Sequence, residues 1–430
     1  MKATRIITTV FVALASLAAN AQEGAWNGEL NIIGTKLPLV FNFSGDGCTM
    51  DSPSQGAKGI PAEKTIKDDG TIKVSVAMIG ATFEGKMENG EIKGTYTQNG
   101  FPIPLTLKPG KLVVKRPQTP VAPFPYKEEN ISFTNAGYTF NGTLTLPQNY
   151  SKQTPVVLMV TGSGQQNRDE ELFDHKPFAV IADALARQGI ASLRYDDRGW
   201  NDKNIDFYQF TTNDFLQDAT SALPLLRKRF NKVGILGHSE GGTIAMMLAA
   251  EGKADFIVSL AGMAISGKET LVMQNRQAMS AINLPKDMVD SYCATISNIL
   301  DEIANGKKTS EITINGVPDN LKPILKRSLE QANSPYIRHF ITIDAGKQLS
   351  KIKCPVLALN GTKDTQVDCA ANTTILETGL SNCKHTIKKI DGVNHLFQHC
   401  STGSVVEYQQ IEETIAPEVL ETITKWINEL

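Results

Sequence analysis

The sequence lacks a long basic tract, a metal-binding motif and a dense set of cysteines, and each absence narrows the possible functions. Its 43 basic and 45 acidic residues leave a formal net charge of only −2. Nucleic-acid binding needs a concentrated basic surface, which this chain does not offer. Neither Cys-Xaa-Xaa-Cys nor His-Glu-Xaa-Xaa-His occurs. We therefore expect no metal, no cofactor and no nucleic-acid partner, and a small neutral or weakly charged ligand.

The N-terminal apolar run is too short to span a membrane. Lys2 and Arg5 precede an apolar stretch at 6–18, and Ala-Asn-Ala at 19–21 supplies small residues for cleavage. A bilayer-spanning helix needs about 20 apolar residues, whereas this order of segments is typical of a secretory signal peptide. We predict a signal peptide at 1–21, a periplasmic or secreted protein and no stable membrane anchor. A retained N-terminal anchor is the alternative.

Residues 22–115 show the two-residue periodicity of β-strands. Ile72, Val74 and Val76, for example, alternate with polar residues, and Asp-Gly or Asn-Gly pairs separate such rows at 69–70, 89–90 and 99–100. These dipeptides tolerate the positive φ of tight hairpins. We predict a small all-β meander domain, either a half-barrel or a small sandwich. Its role is open between a structural or oligomerisation module and a ligand-binding module, and the oligomeric state is not predicted.

A proline-rich stretch separates this domain from a different pattern. Four prolines between positions 117 and 125 favour an extended linker at 116–126. Beyond it, short apolar strands alternate with helical segments, which is typical of a mostly parallel sheet with helices on both faces. We predict an α/β catalytic domain at 127–430. The strand candidates are 156–160, 191–195, 232–236, 256–260, 355–360 and 386–390.

The stretch at about 263–350 is too long for a simple connection between two elements. Three segments within it, at 271–281, 288–304 and 321–331, have helical patterns. We therefore predict an inserted helical cap.

The motif Gly237-His-Ser-Glu-Gly-Gly242 lies between an apolar strand and an apolar helix. A serine nucleophile on a strained strand-to-helix turn needs small flanking residues, because side chains there would clash with the neighbouring backbone. The five-residue pattern alone arises by chance, but this context is specific. We predict that Ser239 is the nucleophile.

Such a serine needs a histidine base and a supporting acid, in the chain order Ser, Asp, His. Of three late histidines, His395 follows the last predicted strand, where α/β enzymes place their chemistry, whereas His385 begins a strand and His399 lies in a polar tail. Asp364 lies just beyond the strand that follows the cap, and Asp368, farther on, is its rival. We predict that His395 is the base and Asp364 the acid.

Two backbone N–H groups should stabilise the oxyanion that forms during attack. The first is that of Glu240, which follows the nucleophile. The second should come from the glycine-rich turn Thr161-Gly-Ser-Gly-Gln165, where Ser163 is our choice and Gly164 or Gln165 are alternatives. A phosphate cradle is a competing interpretation of this turn, but no Lys-Ser/Thr pair follows it.

Several motifs together resemble bacterial α/β-hydrolases of the EstD-like esterase group, over roughly residues 128–430. The resemblance implies an α/β-hydrolase fold, esterase activity on short acyl esters and a triad at Ser239, Asp364 and His395. The N-terminal β domain also looks like the small domain that some of these esterases carry. The motifs are Gly162-Ser-Gly-Gln-Gln-Asn-Arg-Asp-Glu170, His175-Lys-Pro-Phe178, Leu193-Arg-Tyr-Asp-Asp-Arg-Gly199, Gly237-His-Ser-Glu-Gly-Gly242 and Cys354-Pro-Val-Leu-Ala-Leu-Asn-Gly361.

The chain departs from this family at two segments that should line the catalytic face. The family usually has Pro-Gln-Asp at the position of 165–167 and a Gly-Ser type of turn at the position of 200–202. These departures leave the triad untouched but make Gln165 and Trp200 candidate pocket residues of altered character. We therefore infer no substrate preference from the resemblance. Asp196, Asp197 and Arg198 are predicted to form a buried structural ion-pair network.

The predicted function is hydrolysis of carboxylic esters by an exported serine esterase acting on small-molecule substrates. A serine peptidase with the same triad is one alternative, since the fold does not choose between esters and amides. An exported lipid- or glycan-binding protein with a vestigial hydrolase domain is another. For the six cysteines we hypothesise disulfides Cys369–Cys400 and Cys354–Cys383, with reduced thiols as the alternative.

Overall fold

The structure is a computed structural model. It describes residues 23–430 except 33–34, 46, 56, 99, 113, 201, 203, 282–283, 315–316 and 318–321. The chain divides into two compact units, one of Met1–Lys115 with Val405–Glu412 and the other of Arg116–Ser404 with Glu413–Leu430. The predicted signal peptide at 1–21 lies outside the described residues. No helix in the described part of the chain is long and apolar enough to cross a membrane.

The first unit contains a closed antiparallel barrel in which successive strands are neighbours. The predicted all-β meander is thus confirmed, but it is neither a half-barrel nor a sandwich, because β1 also pairs with β8 through Trp26 and Pro109. Closure removes the sheet edges that would otherwise remain unpaired. The strands are β1 (Gly24–Ile32), β2 (Thr35–Ser44), β3 (Gly47–Ser52), β4 (Ala57–Ile66), β5 (Ile72–Val76), β6 (Ala81–Glu88), β7 (Glu91–Gln98) and β8 (Phe101–Pro109).

The inward-facing residues of the strands fill the barrel with apolar side chains. Phe41 and Phe83 are fully buried, and their ring centroids lie 5.7 Å apart. The hairpin between β6 and β7 turns at Asn89 and Gly90, whose φ angles of 51° and 83° are those that this dipeptide permits. A short 3₁₀ helix at Val405–Gln410 belongs to the same unit, and its Gln410 Nε2 lies 3.5 Å from Ser54 Oγ.

The second unit is built on an eight-stranded sheet with the order β16-β15-β14-β13-β11-β12-β10-β9. Strands β11 to β16 are parallel to their partners within that set, and β9 and β10 form an antiparallel hairpin at one edge. The predicted α/β-hydrolase fold is confirmed. The strands are β9 (Lys127–Asn135), β10 (Tyr138–Leu146), β11 (Val156–Val160), β12 (Ala191–Tyr195), β13 (Val233–His238), β14 (Phe256–Leu260), β15 (Val356–Gly361) and β16 (His385–Ile390).

Two apolar cores lie between this sheet and the helices that flank it. One core packs α1 (Pro177–Arg187) and α9 (Pro417–Asn428) against the sheet, and the other packs α2 (Thr212–Arg227) and α3 (Glu240–Ala250) against it. The strands between them are buried along their whole length, which explains their continuous apolar sequences. The helices that flank the sheet are α1 (Pro177–Arg187), α2 (Thr212–Arg227), α3 (Glu240–Ala250), α8 (Cys369–Gly379) and α9 (Pro417–Asn428).

The predicted helical cap is present between β14 and β15. Its helices are α4 (Gly267–Ala281), α5 (Lys286–Ala304), α6 (Lys322–Gln331) and α7 (Pro335–Phe340). The cap has its own apolar core, centred on the buried face of α5 with Tyr292, Ile296 and Ile299. Helix α7 has no counterpart among the predicted segments, because its six residues are too few to show a helical period.

The proline-rich stretch at 116–126 belongs to the second unit and makes specific contacts within it. Gln118 Nε2 donates to the Ile415 carbonyl at 2.7 Å, and Gln118 Oε1 accepts from the Thr414 N–H at 2.5 Å. The rings of Phe124 and Tyr126 stack with centroids 5.1 Å apart. Proline composition predicted an extended spacer, and these side chains between the prolines explain why it packs.

None of the six cysteines, all of which lie in the described part of the chain, takes part in a disulfide. The hypothesised bridges Cys369–Cys400 and Cys354–Cys383 are therefore not formed. The loops after β15 and β16 do meet, but hydrogen bonds hold them together. Lys363 N–H donates to the Val393 carbonyl at 3.0 Å, and Lys363 Nζ lies 2.8 Å from the Cys400 carbonyl.

Candidate active site

Ser239 occupies a strained turn between β13 and α3. Its φ and ψ are 53° and −120°, a region that a residue with a Cβ rarely adopts. The Ser239 N–H donates to the Leu260 carbonyl at 2.8 Å, and its carbonyl accepts from the Gly242 N–H at 2.9 Å. Sheet and helix thus hold the turn from both sides, and the strain is compensated by its surroundings.

The glycines around Ser239 are required by close backbone approach. A Cβ on Gly242 would lie 2.7 Å from the Gly262 Cα, and one on Gly241 would collide with the Val160 carbonyl. Across the site, a Cβ on Gly162 would lie 3.2 Å from the Ser239 Cβ. Glycine therefore lets the turn after β11 pack directly against the serine.

His395 and Asp364 form a buried hydrogen-bonded pair. His395 Nδ1 lies 2.7 Å from Asp364 Oδ2, and the two side chains are 4% and 0% exposed. The rival residues have other partners. Asp368 caps α8 by accepting from the Ala371 N–H, and the exposed His399 pairs with Glu413 at 2.9 Å.

The second carboxylate oxygen of Asp364 is also held. Asp364 Oδ1 accepts from the backbone N–H groups of Gln366 and Val367, both at 2.8 Å. These bonds stabilise the ionised carboxylate and fix its direction. The loop after β15 thereby aims Oδ2 at His395, and a carboxylate there keeps the Nδ1 proton in place, leaving Nε2 as the basic nitrogen.

The side chain of Glu240 is buried beside the nucleophile and accepts hydrogen bonds from three hydroxyl groups. Its donors are Thr212 at 2.5 Å, Ser163 at 2.8 Å and Tyr336 of the cap helix α7. Burial raises the pKa of Glu240, while the hydroxyl groups act in the opposite direction. Burial and the neighbouring Glu240 also raise the pKa of Tyr336 well above its usual range.

This cluster joins two segments that the sequence predicts to take part in the reaction and a third that belongs to the cap. Ser163 lies on the glycine-rich turn, Glu240 opens α3, and Tyr336 belongs to the cap. The first-turn N–H groups of a helix have no acceptor within that helix, so the Glu240 N–H is available to a developing oxyanion. Gly164 has φ of 94°, which helps the turn present its own N–H groups.

His238, directly before the nucleophile, is a second buried polar residue of the site. Its Nδ1 lies 2.9 Å from Glu170 Oε1, and its Nε2 lies 3.0 Å from the His395 carbonyl. Glu170 Oε1 also accepts from the Gly162 N–H at 2.7 Å. A chain of contacts therefore runs from the glycine-rich turn to the loop that carries His395.

Asp196, Asp197 and Arg198 are held near the site, but they do not pair with one another. Asp196 binds Arg168 at 2.5 Å, and Arg198 binds Asp218 at 2.8 Å with both side chains almost fully buried. Asp197 accepts from the Gln166 backbone N–H and from a hydroxyl of the glycine-rich turn. The predicted network is thus several separate pairs that fasten neighbouring segments to β12.

The two candidate pocket residues differ in their surroundings. Gln165 Nε2 donates to the Arg198 carbonyl at 2.8 Å, so its side chain braces the glycine-rich turn. Trp200 is 40% exposed, a large apolar side chain in contact with solvent.

Sequence reasoning missed Glu170, Thr212 and Tyr336 as parts of the site. Glu170 lay inside a motif that the family resemblance used, and that position was the available signal. Tyr336 had no such signal, because nothing in the cap sequence indicates which hydroxyl group lies next to the turn at Ser239. Only the packing of α7 brings it to Glu240.

Comparison with known proteins finds a family model and a relative that part of the chain resembles. Residues 175–295 match the family model described as serine aminopeptidase, S33. The chain is 26% identical over 304 residues to esterase EstD of Thermotoga maritima, covering 69% of this chain and 68% of the relative.

Among solved structures, the chain is similar to Est1E from Butyrivibrio proteoclasticus, at 16% identity over 70% of this chain and 98% of that chain, with a TM-score of 0.43. Proline iminopeptidase from Mycobacterium smegmatis is 12% identical and covers 70% of this chain and 98% of its own, with a TM-score of 0.43. By its sheet order and the strained turn at Ser239, the chain has the α/β-hydrolase fold, and its sequence is similar to that of EstD.

Proposed function

We propose that this α/β-hydrolase is an exported serine esterase that cleaves carboxylic esters of small molecules, with short acyl groups as its first expected substrates. The observation that carries the proposal is the buried His395–Asp364 pair in the same unit as the strained Ser239. The resemblance to EstD supports the ester class. The sequence at 1–21 supports export to the periplasm or beyond the cell.

In the proposed reaction, His395 Nε2 takes the Ser239 hydroxyl proton as Oγ attacks the ester carbonyl. Asp364 stabilises the imidazolium that forms and keeps its orientation. The Glu240 N–H and a donor of the glycine-rich turn, for which we retain Ser163, bind the oxyanion. His395 then returns the proton to the departing alcohol, and water releases the acid from Ser239 by the same steps.

The environment of Tyr336 favours an uncharged substrate group. Its ring lies among aromatic neighbours, with centroids 5.6 Å from Phe207 and 6.2 Å from Phe215. These side chains form an apolar cluster next to Glu240. We propose that this apolar cluster next to Glu240 favours an uncharged acyl chain over a charged group.

A serine aminopeptidase is the second candidate, because the matching family model carries that description. An aminopeptidase needs an acidic group for the ammonium of its substrate. Glu240 is the acid next to the nucleophile, but it is 1% exposed and already accepts three hydroxyl hydrogen bonds. The geometry therefore favours the esterase.

The test compares aryl esters of increasing acyl length with aminoacyl arylamides, using wild type and Ser239→Ala. We expect turnover of short-chain esters by wild type, little turnover of the amides and loss of both in the variant. A fluorophosphonate probe should label wild type and spare the variant. Ser381→Ala, at an exposed serine in the turn before β16, is the control and should behave as wild type.

Amide turnover that exceeds ester turnover would favour the peptidase. Labelling of Ser239→Ala as strong as that of wild type would remove Ser239 from the reaction. Export is tested separately, by fractionating cells and reading the N-terminal residue of the mature protein. An intact Met1 on a cytoplasmic product would contradict the signal peptide.

A further inference from the structure

His238 has hydrogen-bond acceptors on both sides of its ring. Nε2 faces the His395 backbone carbonyl at 3.0 Å, and Nδ1 faces Glu170 Oε1 at 2.9 Å. A carbonyl oxygen can only accept, so Nε2 must carry a proton. The state of Nδ1 then depends on whether the acid proton resides on His238 or on Glu170.

The contacts of Glu170 place that proton on His238. Glu170 Oε1 already accepts the Gly162 N–H at 2.7 Å, which favours a carboxylate. Among the described residues, the buried Glu170 Oε2 has no hydrogen-bond partner, so the contacts with Gly162 and His238 both fall on Oε1. An ionised Glu170 beside a doubly protonated His238 satisfies both ring nitrogens and the Gly162 N–H together.

The ring of His238 also packs against the ring of His395. Their centroids lie 4.7 Å apart with an interplanar angle of 45°. The ionisable groups around this pair are Glu170 on one side of His238 and Asp364 on the far side of His395. A positive charge on His238 opposes a second positive charge on His395 at this distance.

We propose that Glu170 and His238 form a buried carboxylate–imidazolium pair with two positioning roles, an inference that rests on the proposed function of His395. The pair joins the Gly162 N–H to the His395 carbonyl, and so fixes the position of the glycine-rich turn relative to the loop that carries His395. Its imidazolium also opposes a second positive charge on the His395 ring, whose centroid lies 4.7 Å away.

The electrostatics of His238 agree with this assignment. Burial by itself lowers the pKa of His238, but attraction to Glu170 and the hydrogen bonds to Glu170 and His395 outweigh it, and the pKa is raised. Removing the positive charge removes a repulsion that disfavours the His395 imidazolium. The acid limb of kcat/KM should then move to higher pH.

His238→Gln is the variant that separates charge from position. A glutamine amide can still donate to the His395 carbonyl but carries no charge. We expect its acid limb to move up by about one pH unit, with the plateau of kcat/KM reduced by less than about tenfold. His238→Ala, which also loses the donor, should show the same shift and a much lower kcat.

The matched control is His175→Gln, at a second buried histidine of the same unit. His175 contacts the Thr414 hydroxyl and the Gln398 side-chain amide, which are uncharged groups, so its replacement should leave the acid limb in place. An unmoved acid limb in His238→Gln, or an equal shift in His175→Gln, would overturn the electrostatic role.

A direct measurement needs no turnover and so remains informative if the esterase assignment fails. In full-length protein with ¹⁵N-labelled histidine, the His238 resonances are those lost in His238→Gln. We expect both ring nitrogens of His238 to be protonated across the pH range in which the fluorophosphonate probe labels Ser239. A neutral His238 in that range would refute the pair, whether or not esters are cleaved.

Discussion

The barrel and the hydrolase unit bury different kinds of side chain. Among the described residues of the barrel strands and turns, the buried polar side chains are Ser52 and Ser54, and the rest of the interior is apolar. The hydrolase unit buries many ionisable groups as well as two apolar cores. They are Glu170, His175, Arg194, Asp196, Arg198, Asp218, His238, Glu240, Asp364 and His395.

The difference follows from where backbone groups find their partners. A closed antiparallel barrel pairs its own N–H and C=O groups strand to strand and needs no buried polar side chain. In the hydrolase unit, loops leave the ends of parallel strands and fold inward. Side chains such as Asp364 and Glu170 accept from loop N–H groups there, and in the proposed function the same side chains serve the reaction.

The largest effect is expected on kcat, when a buried carboxylate of the proposed reaction is replaced. Asp364→Asn removes the acceptor for the His395 Nδ1 proton and favours the wrong tautomer. We expect kcat for a short-chain aryl ester to fall by about 10⁴-fold. Asp368→Asn is the control, because asparagine caps helices as well as aspartate does. Equal losses in the two variants would show that the choice of Asp364 is wrong.

The next effect tests a buried charge outside the reaction. Arg198→Met leaves Asp218 buried without its cation and should lower the free energy of unfolding by about 3–5 kcal/mol. Adding Asp218→Leu should recover part of this loss, because the unpaired charge is gone. Denaturant-dependent hydrogen exchange can assign the change to the hydrolase unit.

An exposed ion pair on the barrel provides the comparison for the buried pair of Arg198 and Asp218. Lys86 and Asp69 lie 3.0 Å apart, but their side chains are 53% and 59% exposed. Lys86→Met should therefore leave the free energy of unfolding nearly unchanged. A loss as large as that of Arg198→Met would contradict the view that the barrel depends on its apolar interior.

A smaller effect is expected from adding a hydroxyl group to the barrel interior and, separately, removing one from the interior of the hydrolase unit. Val74→Thr places a hydroxyl in the apolar barrel, where Phe83 lies opposite, and should cost about 1–3 kcal/mol. Thr145→Val does the reverse in the hydrolase unit. Thr145 Oγ1 is buried and has no hydrogen-bond partner within the described chain, so this variant should be neutral or stabilising. Both are read from denaturant midpoints, and destabilisation by Thr145→Val would contradict the expectation.

The smallest effect concerns the pH dependence of Glu240. Burial raises its pKa above the ordinary value of 4.5, so the folded protein holds this proton to a higher pH than the unfolded chain does. Stability should therefore fall as pH rises from 4.5 through the raised pKa. Glu240→Gln removes this dependence, and its amide can serve the same three hydroxyl groups.

The measurement for Glu240→Gln is the difference in melting temperature from wild type at two pH values. The difference should be more favourable to the variant at neutral pH than below pH 4.5. A constant difference would mean that Glu240 titrates alike in the folded and unfolded states. Thr145→Val, which removes a buried hydroxyl group without touching the hydrogen bonds of Glu240, should give a constant difference.

Much of this architecture could be predicted because it is written in local patterns. Alternating residues such as Ile72, Val74 and Val76 predicted the barrel strands, and Asn89-Gly90 predicted a turn that has the required φ. Unbroken apolar runs predicted buried parallel strands such as β11. The glycines next to Ser239 predicted the close approach that the structure gives them.

Other features had no local pattern. Barrel closure depends on a contact between Trp26 and Pro109, which are far apart in sequence. The two hypothesised disulfides are absent because proximity of loops, which the order of strands implies, does not set the distance between two sulfur atoms. The short helix α7 gave no periodic signal.

The sequence by itself determined the elements, the fold class and the candidate nucleophile, because strand and helix periods and glycine requirements are properties of neighbouring residues. Tertiary structure alone decided which polar groups share a proton or a charge. Glu170, His238 and His395 come from three separate segments, as do Glu240, Thr212 and Tyr336. Their contacts form when the strands pair in the order β16-β15-β14-β13-β11 and the cap helix α7 packs next to Glu240, since only then does burial make each of these hydrogen bonds necessary.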